Sequence, residues 1–161
     1  MKKVADLKIA VVCAGNICRS PMAEAILKDE INKRGLTWEV ASRGTGSWHQ
    51  GDGADPRAIE TLKRHRLDAS YHRAQRFSDD DFSVFDWILV MDKENLEALR
   101  SRAKNPDMVS KIHLYLELAG SKGPLREVPD PYFGGTDNFE AVFQLLRRYT
   151  PDLIDRILAQ E

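Results

Sequence analysis

A chain of 161 residues, 42% of them hydrophobic, is long enough for one globular domain with its own core. Its 24 Lys and Arg against 25 Asp and Glu leave a formal charge of −1, which excludes the strong positive field that bulk nucleic-acid or membrane-surface binding needs. The longest apolar runs, Ile9 to Ala14 and Trp87 to Met91, fall far short of the ~20 residues of a membrane helix. The run behind Lys2 and Lys3 is also shorter than the ~7–15 residues of a signal core, so a cytosolic protein is expected.

Lys8 to Cys13 rises out of charged residues as a short β-branched run, the pattern of a buried parallel strand. From Pro21 on, Met22, Ala23, Ala25, Ile26, Leu27 and Ile31 recur at helical spacing until Gly35 ends them. Ser20 is the expected N-cap, with Pro21 at the first helical position. Trp38 to Ser42, Trp87 to Met91 and Lys111 to Leu114 read as three further strands. Between them, Asp55-Pro56 opens a helix to about His65 with Ile59 and Leu62 inward, and Asp92 to Arg100 carries Leu96 and Leu99. Thr136 opens the last and longest helical pattern. Proline inside a helix costs roughly 3 kcal/mol, so Thr150-Pro151 is expected to kink or break it near Tyr149. Strands alternating with helices give an α/β class, a four-stranded parallel sheet flanked by helices on both faces. Gly44 to Asp55, with Gly44, Gly46, Gly51 and Gly53, is expected to be a mobile loop. Lys63, Arg64, Arg66, Arg73 and Arg76 read as a solvated basic face, and Asp79, Asp80 and Asp81 as a solvated acidic one. No glycine pattern completes a dinucleotide fingerprint and no GK[ST] phosphate loop exists, so nucleotide binding has no support.

The two cysteines, Cys13 and Cys18, are too few for a disulfide framework. His49, His65, His72 and His113 form no ligand-spaced pair near them, so no metal is expected. The informative stretch is Val12-Cys13-Ala14-Gly15-Asn16-Ile17-Cys18-Arg19-Ser20-Pro21, which places a thiol at a strand end and an arginine just ahead of a helix. The spacing from Cys13 to Arg19 lets the backbone curl into a ring whose N–H groups converge on a tetrahedral oxyanion, helped by the helix N-terminus. Gly15 and Asn16 are the residues expected to take the positive φ of such a ring. The same field favours thiolate over thiol, which makes Cys13 a nucleophile at neutral pH. Planar, permanently charged Arg19 can grip two phosphoryl oxygens at once. Taken alone, Cys13 reads more readily as a buried core thiol, and a glycine-containing strand-loop-helix turn belongs to any parallel α/β domain.

The whole string, C-x(5)-R-S-P with Gly-Asn inside it, resembles the signature of the low-molecular-weight protein tyrosine phosphatases. The resemblance extends over Asp55-Pro56-Arg57-Ala58, the stretch from Phe85 to Asp92, and Asp130-Pro131-Tyr132. It implies one domain over residues 1–161 of the flavodoxin-like, phosphatase I type, a monomer or weak dimer working without cofactor or metal. The implied partners are phosphotyrosine-containing proteins, with inorganic phosphate or another oxyanion held in the loop. Position by position it implies that Cys13 attacks phosphorus, Arg19 binds the transferring phosphoryl group and Asp130 donates the proton. Ala14, Gly15, Asn16, Ile17, Cys18 and Ser20 are the implied substrate-binding ring. Asn16, Ser20, Ser42 and His72 match positions whose hydrogen bonds hold the loop, with Ser20 also facing the sulfur. Outside that resemblance, Asp130-Pro131-Tyr132 reads as a surface turn.

Trp48 in the Gly-rich segment, with Tyr132 and Phe133 beside Asp130, can form aromatic walls for a flat phenyl ring, or pack into the core. In the family a threonine at the Ile17 position is associated with phosphoarginine, so Ile17 leans toward phosphotyrosine. Two departures from the family pattern are Ala14, where many relatives carry a larger residue, and Arg66, where relatives often have the glycine a helix C-cap prefers. Cys18 lies close enough along the ring to bridge to Cys13 under peroxide, and is equally readable as a bystander thiol. Three classes of activity fit the string. One is a tyrosine phosphatase, with a protein arginine phosphatase as its variant. The second is an arsenate reductase, whose electron relay needs cysteines beyond the loop, and none follows Cys18. The third is a phosphate-sensing domain without catalysis, which the joint presence of Cys13, Arg19 and Asp130 opposes.

Overall fold

The computed structural model describes residues 7–122 and 124–160, so the Lys2-Lys3 pair lies outside the described residues. Strands β1 (Lys8–Cys13), β2 (Glu39–Gly44), β3 (Trp87–Val90) and β4 (Ile112–Leu114) pair in parallel in the order β2-β1-β3-β4. The helices are α1 (Arg19–Lys33), α2 (Pro56–Arg64), α3 (Asp81–Val84), α4 (Lys93–Arg100), α5 (Pro106–Ser110), α6 (Tyr115–Leu118) and α7 (Thr136–Gln160). All four strands fall within two residues of the expected ones.

Because side chains alternate along a pleated strand, Ile9, Val11, Cys13 and Leu89 enter one core, while Ala10, Val12, Ile88 and Val90 enter another. The first core is closed by Met22 and Leu27 of α1, Leu62 of α2 and Phe143 of α7; the second by Phe82 of α3 and Leu99 of α4. Both faces are therefore covered, as an all-parallel sheet requires. The chain leaves β1 toward β2 on one side and later returns to β3 on the other. That reversal opens a crevice at the carboxyl ends of β1 and β3, where ligands of such sheets sit.

Helix starts and stops show which local signals won. Gly35, at φ 70, ends α1 as expected, with Gly35 N–H bonded to Asn32 O at 3.1 Å and Leu36 N–H to Ile31 O at 3.1 Å, a Schellman closure. The start of α1 differs from expectation: Cys18 is the N-cap and Ser20 and Pro21 lie inside the first turn. Proline costs nothing there, because the first four N–H groups of a helix have no intrahelical partner. The break expected near Tyr149 is absent, and α7 runs through Pro151. Leu146, Leu153, Ile154 and Ile157 are fully buried on either side, and that packing offsets the missing bond. The one-turn helices α3, α5 and α6 were not expected, though Asn105-Pro106 marks α5: the Asn105 side chain accepts from Met108 N–H at 2.9 Å. Asp81 is not on the solvated acidic face but buried, accepting from Ser78 N–H at 2.9 Å with Arg43 Nε 3.3 Å away.

The Gly-rich segment expected to be mobile is tethered along its length. Thr45 N–H bonds Cys13 O at 2.9 Å, Gly46 N–H bonds Ala14 O at 3.1 Å, Gly51 N–H bonds Ala74 O at 2.8 Å and Asp55 N–H bonds Ile17 O at 2.8 Å. It is built as a wall against the loop that follows β1.

Candidate active site

Cys13 ends β1 and its side chain is buried, at 3% exposure, so anything reaching the sulfur must be long and slender. The chain then turns through residues 14–18 before α1 begins. Asn16 sits at φ 59, a left-handed conformation that asparagine tolerates better than most residues. The expectation that Gly15 shares it is not met. Space also favours glycine there: a Cβ would stand 2.9 Å from His49 Cδ2, and the His49 ring would have to shift.

The backbone N–H groups of Ala14, Gly15, Asn16, Ile17 and Cys18 donate to no described residue. Unpaired N–H groups at the start of a helix form the donor nest that a tetrahedral anion fits. The loop's shape is fixed from behind instead. Asn16 Nδ2 donates to Ser20 Oγ at 2.8 Å and Ser42 Oγ at 3.0 Å, Asn16 Oδ1 accepts from Gln75 N–H at 2.8 Å, and His72 Nε2 lies 2.6 Å from Asn16 O. All of Asn16, Ser20, Ser42 and His72 are buried, so these bonds are made in a low-dielectric setting where breaking one is expensive.

Ser20 Oγ lies 3.0 Å from Cys13 Sγ. Asn16 occupies one lone pair of that hydroxyl, which leaves its proton to face the sulfur or, at the longer 3.4 Å, Arg43 O.

Arg19 is 3% exposed and its Nη1 is fully occupied, donating to Asp92 Oδ2 at 2.6 Å and Val128 O at 2.9 Å. Its Nε and Nη2 edge makes no hydrogen bond to a described residue, and that edge is the one that matches two phosphoryl oxygens. Burial alone would lower the guanidinium pKa, but the facing Cys13, the hydrogen bond and charge of Asp92, and Asp130 outweigh it and raise it. Asp92, which caps α4 through Asn95 N–H at 2.8 Å, was legible in the sequence as a helix start and as the edge of the Phe85 to Asp92 stretch, with no role assigned to it.

Asp130 reaches the site from the opposite loop. Its Oδ2 is 3.9 Å from Arg19 Nη2 and its Oδ1 accepts from Tyr132 N–H at 3.0 Å, a turn of the kind the dipeptide suggests. Trp48, Tyr132 and Phe133 are not core: they are 71%, 39% and 93% exposed and line a cavity of about 380 Å³ with Cys13, Arg19 and Asp130. Phe133 meets Tyr132 edge-on at 5.0 Å, and His49, which sequence reasoning missed, stands 6.3 Å from the Tyr132 ring. The only hint of His49 was its place beside Trp48.

Cys18 is a buried free thiol, as is Cys13. Burial, then the Asp55 carboxylate, push the Cys18 thiol well above its ordinary range, which keeps it protonated and a poor nucleophile. Among the described residues, no group of three His, Cys, Asp or Glu is placed to hold a metal ion, and no helix is long and apolar enough to cross a membrane.

Residues 8–161 match the family model for low molecular weight phosphotyrosine protein phosphatase. The chain belongs to that family. A low molecular weight phosphotyrosine protein phosphatase of Schizosaccharomyces pombe is 42% identical to this phosphatase over 137 residues, 83% of this chain and 86% of the relative. A crystal structure of an Entamoeba histolytica protein tyrosine phosphatase matches it with a TM-score of 0.89 at 33% identity, covering 96% of this chain and 98% of that one. The structure of a Drosophila arginine phosphatase matches at 0.86 and 37% identity, covering 92% and 96%.

Proposed function

We propose that residues 1–161 form one phosphatase domain that hydrolyses phosphotyrosine in proteins through a cysteinyl-phosphate intermediate. The observation that carries this reading is the ring from Cys13 to Arg19: five N–H groups that donate to no described residue and the Nε and Nη2 edge of a buried guanidinium, which makes no hydrogen bond to one, beside one sulfur. Cys13 Sγ attacks phosphorus in line, the S–P bond forms, and the P–O bond to the tyrosine ring breaks as Asp130 gives its proton to the departing oxygen. Asp130, now a carboxylate, takes a proton from water as that water attacks phosphorus, and the S–P bond breaks to release phosphate. Phosphoryl transfer asks chiefly for alignment and charge stabilisation, so the ring and Arg19 carry the larger share and Asp130 the ~10²–10⁴ of a positioned acid. Ser20 Oγ, 3.0 Å from the sulfur, is placed to hydrogen-bond it both as attacker and as leaving group.

Trp48, Tyr132 and Phe133 stand as walls at the mouth, which suits an aryl ester reaching a deep sulfur better than the short arm of phosphoserine. Ile17, branched and apolar, supports phosphotyrosine over phosphoarginine. The arginine phosphatase relative keeps the second substrate in play. The nucleophile works only as a free thiol, which supports a reducing, cytoplasmic setting.

The test is phosphate release from matched phosphotyrosine, phosphoserine and phosphoarginine peptides, with arsenate reduction as a fourth arm. Phosphotyrosine is expected to be turned over fastest; faster release from phosphoarginine reassigns the substrate. Cys13→Ser is expected to abolish turnover while still binding inorganic phosphate, and retained turnover would remove Cys13 from the mechanism. Asp130→Ala is expected to slow poor leaving groups far more than good aryl ones.

A further inference from the structure

The loop that carries Asp130 is anchored on two sides. Ahead of it, Val128 N–H bonds Met91 O at 2.8 Å and Val128 O accepts from Arg19 at 2.9 Å. Beyond it, two backbone carbonyls are held by one side chain: Arg57 donates to Tyr132 O at 2.9 Å through Nη2 and to Gly134 O at 2.8 Å through Nη1. The same guanidinium is locked to Asp55, with Nε on Oδ1 at 3.0 Å and Nη2 on Oδ2 at 2.8 Å. Its carbon lies 4.5 Å from the Phe139 ring centroid and 5.7 Å from that of Tyr132. Asp55 in turn is tied to the ring, since its N–H bonds Ile17 O at 2.8 Å.

A continuous path of hydrogen bonds therefore runs from the phosphate ring through Asp55 and Arg57 to the acid loop. We infer that Arg57 is a positioning residue for the general acid, setting the distance between the Asp130 loop and the phosphate ring. The inference rests on the assignment of Asp130 as proton donor. Only arginine serves at this position: its planar fork engages a carboxylate side-on and still reaches two carbonyls, whereas the lysine ammonium is a single point of three donors. The guanidinium of the bridge lies over the buried Phe139 ring at the edge of the core and is not itself buried. The Arg57 side chain is 33% exposed, and Asp55 still caps α2 through the Arg57 backbone N–H at 2.8 Å once the guanidinium is gone. Its loss therefore frees the acid loop and leaves the sheet and the ring in place.

The experiment is a double-mutant cycle of Arg57→Ala and Asp130→Ala in the full chain, read on a poor and a good aryl leaving group. Arg57→Ala is expected to lower kcat on the poor leaving group about tenfold or more and on the good one by less than about threefold, a fraction of the ~10²–10⁴ available to the acid. The basic limb of its kcat–pH profile should flatten, inhibition by inorganic phosphate should stay as in the wild type, and the double variant should be no slower than Asp130→Ala. Arg57→Lys, which keeps the charge and loses the fork, should fall between and serves as the readout should Arg57→Ala melt early. Additive losses, equal losses on both esters, or a weakened phosphate affinity overturn the role. An Asp130→Ala enzyme with no leaving-group dependence sinks the acid assignment and this inference together. A leaving-group-dependent Asp130→Ala beside an Arg57→Ala that behaves as wild type sinks the inference alone.

Discussion

Residues 13–20 and residues 128–134 face one cavity, and they are held in different ways. The first set is buried except for Ala14 and Gly15, which are half-buried, and its polar side chains bond one another and β2. The second exposes Asp130, Tyr132 and Phe133 and is held at Val128 and by the carbonyls that Arg57 grips. The difference fits the work we propose for each. A ring that stabilises a developing dianion gains most when its donors need no reorganisation, whereas an acid that serves a departing ring and then a water must border solvent.

Asp92 is where that contrast breaks most violently, because it belongs to the ring's support and carries a second duty as the α4 cap. Asp92→Ala leaves a guanidinium that is 3% exposed without its carboxylate. Removing one partner of a buried pair costs about 3–5 kcal/mol, which at ~2–4 °C per kcal/mol for a chain of this size is a fall in Tm on the order of 10 °C. Phosphate affinity should fall with it. Asp92→Asn can keep the cap through its remaining oxygen, but it sets an NH2 where Oδ2 accepted from Arg19, so it should recover part of the stability and little of the affinity. If calorimetric phosphate binding is unchanged in both, Val128 O alone orients Arg19 and the ring is less dependent on its neighbours than its burial suggests.

Asp55 joins the two regions, and its pH response sharpens the contrast between them. The hydrogen bonds from Arg57, against the opposing effect of burial, hold its carboxyl below the ordinary carboxylate range. The unfolded chain then binds the proton more readily than the folded one, so stability rises with pH across that interval. The contribution is fully present above the ordinary carboxylate value of ~3.9 and is lost as pH falls through the lower folded value. Asn caps a helix as well as Asp, so Asp55→Asn keeps the cap while removing the charge and one of the two acceptors of the Arg57 fork. Its Tm should lie a few degrees below wild type at neutral pH, and the gap should close below about pH 4. A gap that persists in acid would mean that shape and not charge holds the clasp.

What the sequence made legible here is local. β1 and its loop stood out because a buried strand, a left-handed Asn16 and a helix start leave short-range patterns, and the family string tied Cys13, Arg19 and Asp130 together across more than a hundred residues. The neighbours that tune them did not stand out. Asp92, His49, Gln75 and the Arg57 fork act through contacts between segments far apart in the chain, and each is also an ordinary cap, loop or surface residue. Pattern alone left the strand order β2-β1-β3-β4 open, since alternating strands and helices fix the class and not the crossovers; the order was implied only by the family resemblance, through its flavodoxin-like type. Pro151 shows the opposite error, a strong local rule overruled by buried side chains on both flanks.

Arg66 carries the smallest expected effect and lies in neither loop, which makes it the control for both. It follows the C-cap of α2 at φ 64, with its N–H on Lys63 O at 3.0 Å and Leu67 N–H on Leu62 O at 2.9 Å, the same closure that Gly35 gives α1. A side chain in that conformation costs on the order of 1–3 kcal/mol, and glycine returns part of the gain as unfolded-state entropy of ~0.4–1 kcal/mol. Arg66→Gly should therefore raise stability by about 1 kcal/mol and Tm by ~2–4 °C. Because α2 begins at the Asp55 cap that steadies Arg57, the comparison has a second readout. If the clasp sets the acid loop through Arg57 alone, kcat on poor and good leaving groups should both stay at the wild-type value while the melt moves. A change in leaving-group dependence without any change at Arg57 would show that the whole of α2, and not its first side chain, positions the acid.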